Sequence, residues 1–138
     1  MKQQHHSLSI PCRGHGFNDL TREIRQWVRG TGIMTGLLNV FLQETSCSLS
    51  IQENADPEIG HNIQAIVAHD TSASGPGAEK AEYPGDIHGH TRMTITNVSL
   101  TIPVQNGRPI LGTWQGIYLY EHRHHASKRK IFVHIIGD

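Results

Sequence analysis

The sequence predicts a single α+β domain, a mainly antiparallel β-sheet with two or three helices. Three observations lead there. At 138 residues the chain can bury roughly two-thirds of its unfolded surface in one core and has no need of a second. Its strand-like stretches follow one another in hairpin order, and its helical stretches stand in separate blocks without the alternation that builds a parallel sheet. The long polar tract over 70–86 reads as a loop inside that one domain, 1–138, and not as a linker between two.

Taken in order, residues 3–12 end in alternation around Leu8, Ile10 and Cys12, a first strand closed by Arg13, Gly14, His15 and Gly16. Phe17, Leu20, Ile24 and Trp27 or Val28 then recur at helical spacing. Asn18 or Asp19 can cap that helix and Gly30 can end it. Residues 32–43 are mostly apolar, too few to span a membrane, and predict a buried strand. In the stretch after it, extended geometry puts Glu44, Ser46, Ser48, Ser50 and Gln52 on one side. Such a polar stripe suits either the solvent face of an antiparallel sheet or the floor of a polar cleft.

Asp56 followed by Pro57 marks a second helix start, with Ile59, Ile63, Ile66 and Val67 as the apolar stripe and His61 and His69 at its margins. The tract over 70–86 has no periodicity, and loops of that length in small domains are functional or disordered. GDIHGHTR, at 85–92, is the densest polar cluster in the chain. Extended, it would aim His88 and His90 to one side as a chelating pair; on a helix only one of them could face a site.

Residues 98–104 alternate as a strand, Gln105, Asn106 and Gly107 signal a hairpin, and a return strand begins over 108–111. In the stretch 111–123, period 2 places Ile117, Leu119, Glu121 and Arg123 on one face and Tyr118, Tyr120 and His122 on the other. A carboxylate that follows two aliphatics inward must be neutralised, here by Arg123 or by a ligand. The plainer alternative is a strand-end salt bridge of Glu121 with Arg123 and a solvated His122. A short basic loop then leads to a final buried strand over 130–136, with His134 beside Phe132 and Ile136.

Lysine plus arginine equal aspartate plus glutamate at 12 each. The formal charge of zero gives no general pull toward nucleic acid or an anionic membrane. Two cysteines, Cys12 and Cys47, lack zinc-finger spacing and the density of a secreted disulfide scaffold, which favours a reducing compartment. With no signal peptide and no apolar run near about 18 residues, a soluble cytoplasmic protein is expected. Eleven histidines are many for such a chain, and histidine is the commonest metal ligand. The terminal His5 and His6 and the loop pair His124 and His125 are expected in solvent. No phosphate-binding glycine loop, GxSxG, HExxH or internal repeat occurs.

The strings LLNVFLQETSCSLSIQENADPEI, GDIHGH, SLTIPVQNGRPILGTWQGIYLYEHR and RKIFVHIIGD resemble the YjbQ family, an uncharacterised family sometimes assigned a secondary thiamine-phosphate synthase activity. The similarity runs almost from end to end. It implies an α+β fold of the YjbQ type, a compact homotrimer and a cleft with histidines suited to a metal ion. His90 matches the family's loop-to-helix histidine, whereas His88 falls where many members have proline. Glu44 replaces a second family histidine, so a bound ion would be more magnesium-like or manganese-like than in a two-histidine site, with loss of the metal as the alternative. His122 matches a position that is histidine in part of the family.

The sequence thus yields a candidate metal set of His90, Glu44, His88 and His122 for magnesium, manganese or zinc. Glu121, Arg123 and Gln115 are the candidate catalytic groups, and Ser46, Asn54, Thr113, Trp114 and Arg123 the candidate substrate contacts. The expected reaction is metal-dependent chemistry on a small phosphorylated metabolite, the resemblance pointing to displacement of pyrophosphate from an aminopyrimidine methyl diphosphate. Trp114 or Tyr120 could stack on the pyrimidine, with core packing the competing role for Trp114. A non-catalytic metal- or phosphometabolite-binding trimer is the rival reading, and a structural trimer with polar stripes at its interfaces a third.

Overall fold

Strands dominate the computed structural model of the protein, which describes residues 1–12, 14–53 and 97–138. In chain order the elements are β1 (Lys2–Cys12), β2 (Gly16–Asp19), α1 (Thr21–Thr31), β3 (Thr35–Leu42), β4 (Cys47–Glu53), β5 (Ser99–Gln105), β6 (Arg108–Pro109), β7 (Gln115–Glu121) and β8 (Ser127–Gly137). They form two antiparallel sheets, one ordered β1-β8-β3-β5-β6 and one ordered β2-β7-β4. The α+β, mainly antiparallel expectation holds. One helix is seen among the described residues, while the helix expected from Asp56, the 70–86 loop and the 85–92 cluster lie outside them.

Period-2 alternation builds one core from both sheets. Leu38, Val40 and Leu42 of β3, Ile102 and Val104 of β5, and Ile131, Val133 and Ile135 of β8 all bury their side chains. They join Leu49 of β4 and Ile117 and Leu119 of β7 in a single apolar cluster. Ile24 and Val28 of α1 close it, one turn apart on the same helix face. The run over 32–43, expected to be buried throughout, alternates instead: Leu37 and Phe41 are exposed because β3 has one face on the core and the other outward.

Several boundaries move for identifiable reasons. Phe17, Asn18 and Asp19 belong to β2, paired with Tyr120, Leu119 and Tyr118, and not to the helix. Gly14 and Gly16 at φ 152° and 130° let the chain turn into that pairing. Helix α1 starts after Leu20, with the Thr21 amide donating to Asp19 Oδ1 at 2.9 Å. It ends on Gly32 at φ 74°, two residues beyond Gly30, where glycine takes the left-handed cap without strain and its amide donates to the Arg29 carbonyl. The Thr21 hydroxyl accepts the Ile117 amide at 2.8 Å and so ties the helix start to β7.

The hairpin signal of Gln105, Asn106 and Gly107 is realised between β5 and β6, with Asn106 and Gly107 at φ 54° and 73°. Two positive φ values in succession match the tight turn that suits strand twist. The last strand begins earlier than the sequence suggests, at Ser127 and not at Lys130, so Lys128 and Arg129 are strand residues and not a loop. That shift brings Arg129 to the inward face, in phase with Ile131, Val133 and Ile135.

Candidate functional site

Strand β7 is the middle of the smaller sheet, and its last residue, Glu121, pairs with Gly16 on one side and Cys47 on the other. Inward, where Ile117 and Leu119 precede it, Glu121 is fully buried. The neutralising cation is Arg129, correcting the expectation of Arg123 or a ligand. Arg129 Nε donates to Oε2 at 2.6 Å and Nη2 to Oε1 at 2.8 Å. The Arg123 amide and the Ser127 hydroxyl each add a bond at 3.0 Å. Burial pushes the Glu121 pKa up, but these donors outweigh it and hold it at about 2. A carboxylate held ionised near neutral pH and bonded by four donors is a poor general base, which weighs against the catalytic role expected of Glu121.

On the opposite side of the same strand end lies a chain of polar rings. Tyr120 Oη and His15 Nε2 are 2.9 Å apart. His122 Nε2 and Ser48 Oγ are 2.9 Å apart, Ser48 being the cross-strand partner of Tyr120. The Tyr120 ring meets His122 edge-on at 4.8 Å and His15 at 5.2 Å, and His15 stacks on His124 at 4.7 Å. Tyr120, Ser48 and Ser50 are buried. The serine stripe is therefore no solvent face, and the polar-floor reading fits it.

Burial lowers the pKa of His122, helped by the nearby His15, and lowers that of His15, helped by His124. Both imidazoles are thus biased to the neutral form, the one that accepts a proton or binds a metal. Burial raises the Tyr120 hydroxyl to about 12, keeping it protonated. Burial likewise raises Cys47 to about 12 and Cys12 in the same direction; both are free thiols without nucleophilic character.

The sequence-derived candidates divide. Glu121, His122 and Arg123 stand together at the end of β7, and the Ser46 carbonyl accepts the His122 amide at 3.3 Å. Glu44 joins them through Arg129, its Oε2 lying 3.6 Å from Nη1. Thr113, Trp114 and Gln115 are at the other end of β7, about 20 Å away at the usual strand rise of ~3.3 Å per residue. Gln115 Oε1 there accepts the Gly112 amide at 2.7 Å, and Trp114 is 58% exposed, which corrects the core role weighed for it. Asn54, His88 and His90 lie outside the described residues.

His15 was not among the sequence-derived candidates, and Tyr120 entered only as a stacking ring, because strand pairing and not spacing brings the two together. Of the proposed metal set, the described residues supply one carboxylate and one neutral imidazole, donors that fit a divalent ion. Among the described residues no three His, Cys, Asp or Glu side chains form a metal-holding group.

A family model described as UPF0047 protein YjbQ-like matches residues 6–138. The chain belongs to the YjbQ-like UPF0047 family. A UPF0047 protein of Synechocystis is 36% identical over 138 residues, covering 99% of this chain and 94% of its own. UPF0047 protein YjbQ of Escherichia coli O157:H7 is 34% identical over 96% of both chains. Among solved structures, a YjbQ/UPF0047 family protein of Clostridium acetobutylicum superposes with a TM-score of 0.72 at 29% identity, covering 96% of this chain and 99% of its own. A YbjQ-like protein of Sulfolobus solfataricus P2 gives 0.75 at 20% identity over 99% and 100%, a likeness of fold. Among the described residues no helix is long and apolar enough to cross a membrane.

Proposed function

We propose that this YjbQ-like protein is a metal-dependent enzyme acting on a small phosphorylated metabolite at the end of β7, with thiamine-phosphate synthase-like transfer as its reaction. The observation that carries the reading is the His15, Tyr120, His122 and Ser48 chain, two imidazoles biased neutral and bonded to buried hydroxyls at one strand end. Groups of that kind hold or move a proton at neutral pH. Glu44 and His122, with His90 and His88, would hold a magnesium, manganese or zinc ion, which supplies charge neutralisation to a departing phosphate group. The exposed Arg123 adds a cation at the same strand end. Thr113, Trp114 and Gln115 could reach this site only from another subunit.

A homotrimer is part of the proposal. Leu37 of β3 lies opposite Ile136 of β8 on the outward face of the larger sheet, with Phe41 further along, all three exposed. Such a strip favours burial against other copies. Sedimentation of Leu37→Glu should then show smaller species than the parent.

The test of activity is direct. Protein stripped of metal and reloaded with magnesium, manganese or zinc should form thiamine phosphate from the aminopyrimidine methyl diphosphate and the thiazole phosphate. Turnover no higher than that of His122→Ala would end the enzymatic version. One observation favours a rival: the ion pair of Glu44 with Arg129 occupies a proposed ligand. A non-catalytic metal- or phosphometabolite-binding trimer would show saturable binding in calorimetry and no product.

A further inference from the structure

A cavity of about 420 Å³ opens between α1 and the β5–β6 hairpin, lined by Arg25, Arg29, Gly107, Arg108, Pro109 and Leu111. Its size falls in the roughly 300–1,000 Å³ range of small-molecule pockets. Among the described residues, three of the six that line it are arginines and none is acidic. Arg25 and Arg29 are four apart on α1 and so project from one helix face. Arg108 comes from the other wall, where the turn at Asn106 and Gly107 sets the start of β6. The Gly107 amide donates to the Met34 carbonyl at 3.1 Å, which fixes that wall against the chain leaving α1.

None of the three guanidinium groups makes an ion pair with an acidic side chain among the described residues. Like charges four apart on a helix repel, and a third cation across the gap adds to the repulsion. An arrangement that gathers cations without a counter-charge is relieved by an anion. Guanidinium forks match phosphate oxygens two at a time and bind them more strongly than neutral donors do. The half-buried Leu111 and buried Pro109 lower the local polarity of the floor, which strengthens such bonds.

We infer that the cleft of Arg25, Arg29 and Arg108 is an anion site for a di- or triphosphate group. Three two-pronged forks offer more donors than a single phosphoryl group has oxygens, so a longer phosphate chain uses the site more fully. The site is separate from the end of β7 and does not depend on the reaction proposed there.

Calorimetry of the full chain with inorganic pyrophosphate, tripolyphosphate and phosphate, in chelator and at low salt, tests it. Tripolyphosphate and pyrophosphate should bind more tightly than phosphate. Their dissociation constants should rise at least ten-fold in the Arg25→Gln/Arg108→Gln protein and in Arg108→Gln alone, and stay unchanged in His122→Ala. The Nε–Hε signals of Arg25, Arg29 and Arg108 should shift together on titration. No saturable binding, equal binding in the arginine variants, or loss of binding in His122→Ala would overturn the inference. Because all three arginines are exposed, their replacement leaves the core intact, and an unchanged circular dichroism spectrum checks this.

Discussion

Glu121 and Arg129 belong to different sheets, and their two-pronged ion pair, at 2.6 and 2.8 Å, joins the sheets through the core. Both side chains are buried, at 0% and 5% exposure, so neither charge can be left to water. The pair also sets the base of the candidate site, because the Arg123 amide and Ser127 hydroxyl bond to the same carboxylate.

Removing one partner should therefore be far worse than removing both. Arg129→Leu strands a buried carboxylate and is expected to cost roughly 3–5 kcal/mol, while Glu121→Leu/Arg129→Leu should recover a large part of that loss. Urea denaturation of the single and double variants measures the difference. A double variant no more stable than Arg129→Leu would show that the ion pair itself, and not charge burial, holds the sheets together.

The same carboxylate gives the protein an acid limb. Its folded pKa of about 2 lies below the ordinary 4.5, so the unfolded chain binds the proton first as pH falls. The stability it contributes is full above about 4.5 and is lost as pH drops toward about 2. Glu121→Gln should flatten the fall in denaturation midpoint across that window. An acid limb unchanged in slope would assign it to other carboxylates.

How far the sequence shows this arrangement depends on what is local. Alternation placed Ile117, Leu119 and Glu121 on one inward face correctly, because a strand's period is written in adjacent residues. Arg129 was hidden by its setting in Ser-Lys-Arg-Lys, which reads as a basic loop. Extending the phase of Ile131, Val133 and Ile135 back by one step would have found it. Strand β2 was missed because Phe17, Leu20 and Ile24 fit helical spacing, while its pairing with β7 depends on residues about a hundred positions away. The contact of His15 with Tyr120 follows from that same long-range pairing, and no spacing rule contains it.

Glycines give a contrast between a forced and a free position. Gly36 of β3 and Gly137 of β8 face each other, and a Cβ on either would run into the backbone of the opposite strand. Gly36→Val should destabilise by at least about 1–3 kcal/mol, the usual range for overpacking. Gly30 sits inside α1 with open space around it, so Gly30→Ala should stabilise by about 0.5–1 kcal/mol. Thermal melts of the two variants should move in opposite directions.

The histidines at the end of β7 predict a second, milder pH dependence. Burial lowers both His15 and His122 from the ordinary 6.5, so below that value the unfolded chain protonates while the folded site resists. Stability is then complete above about 6.5 and declines as pH falls from there toward the folded pKa values. His15→Gln/His122→Gln should remove most of this decline while leaving the Glu121 limb at lower pH. Titration followed by imidazole proton resonances gives an independent reading, with the signals of His15 and His122 moving at lower pH than 6.5. Resonances titrating at or above that value would mean that the rings are solvated, and the proton-handling role drawn from their neutrality would fall with them.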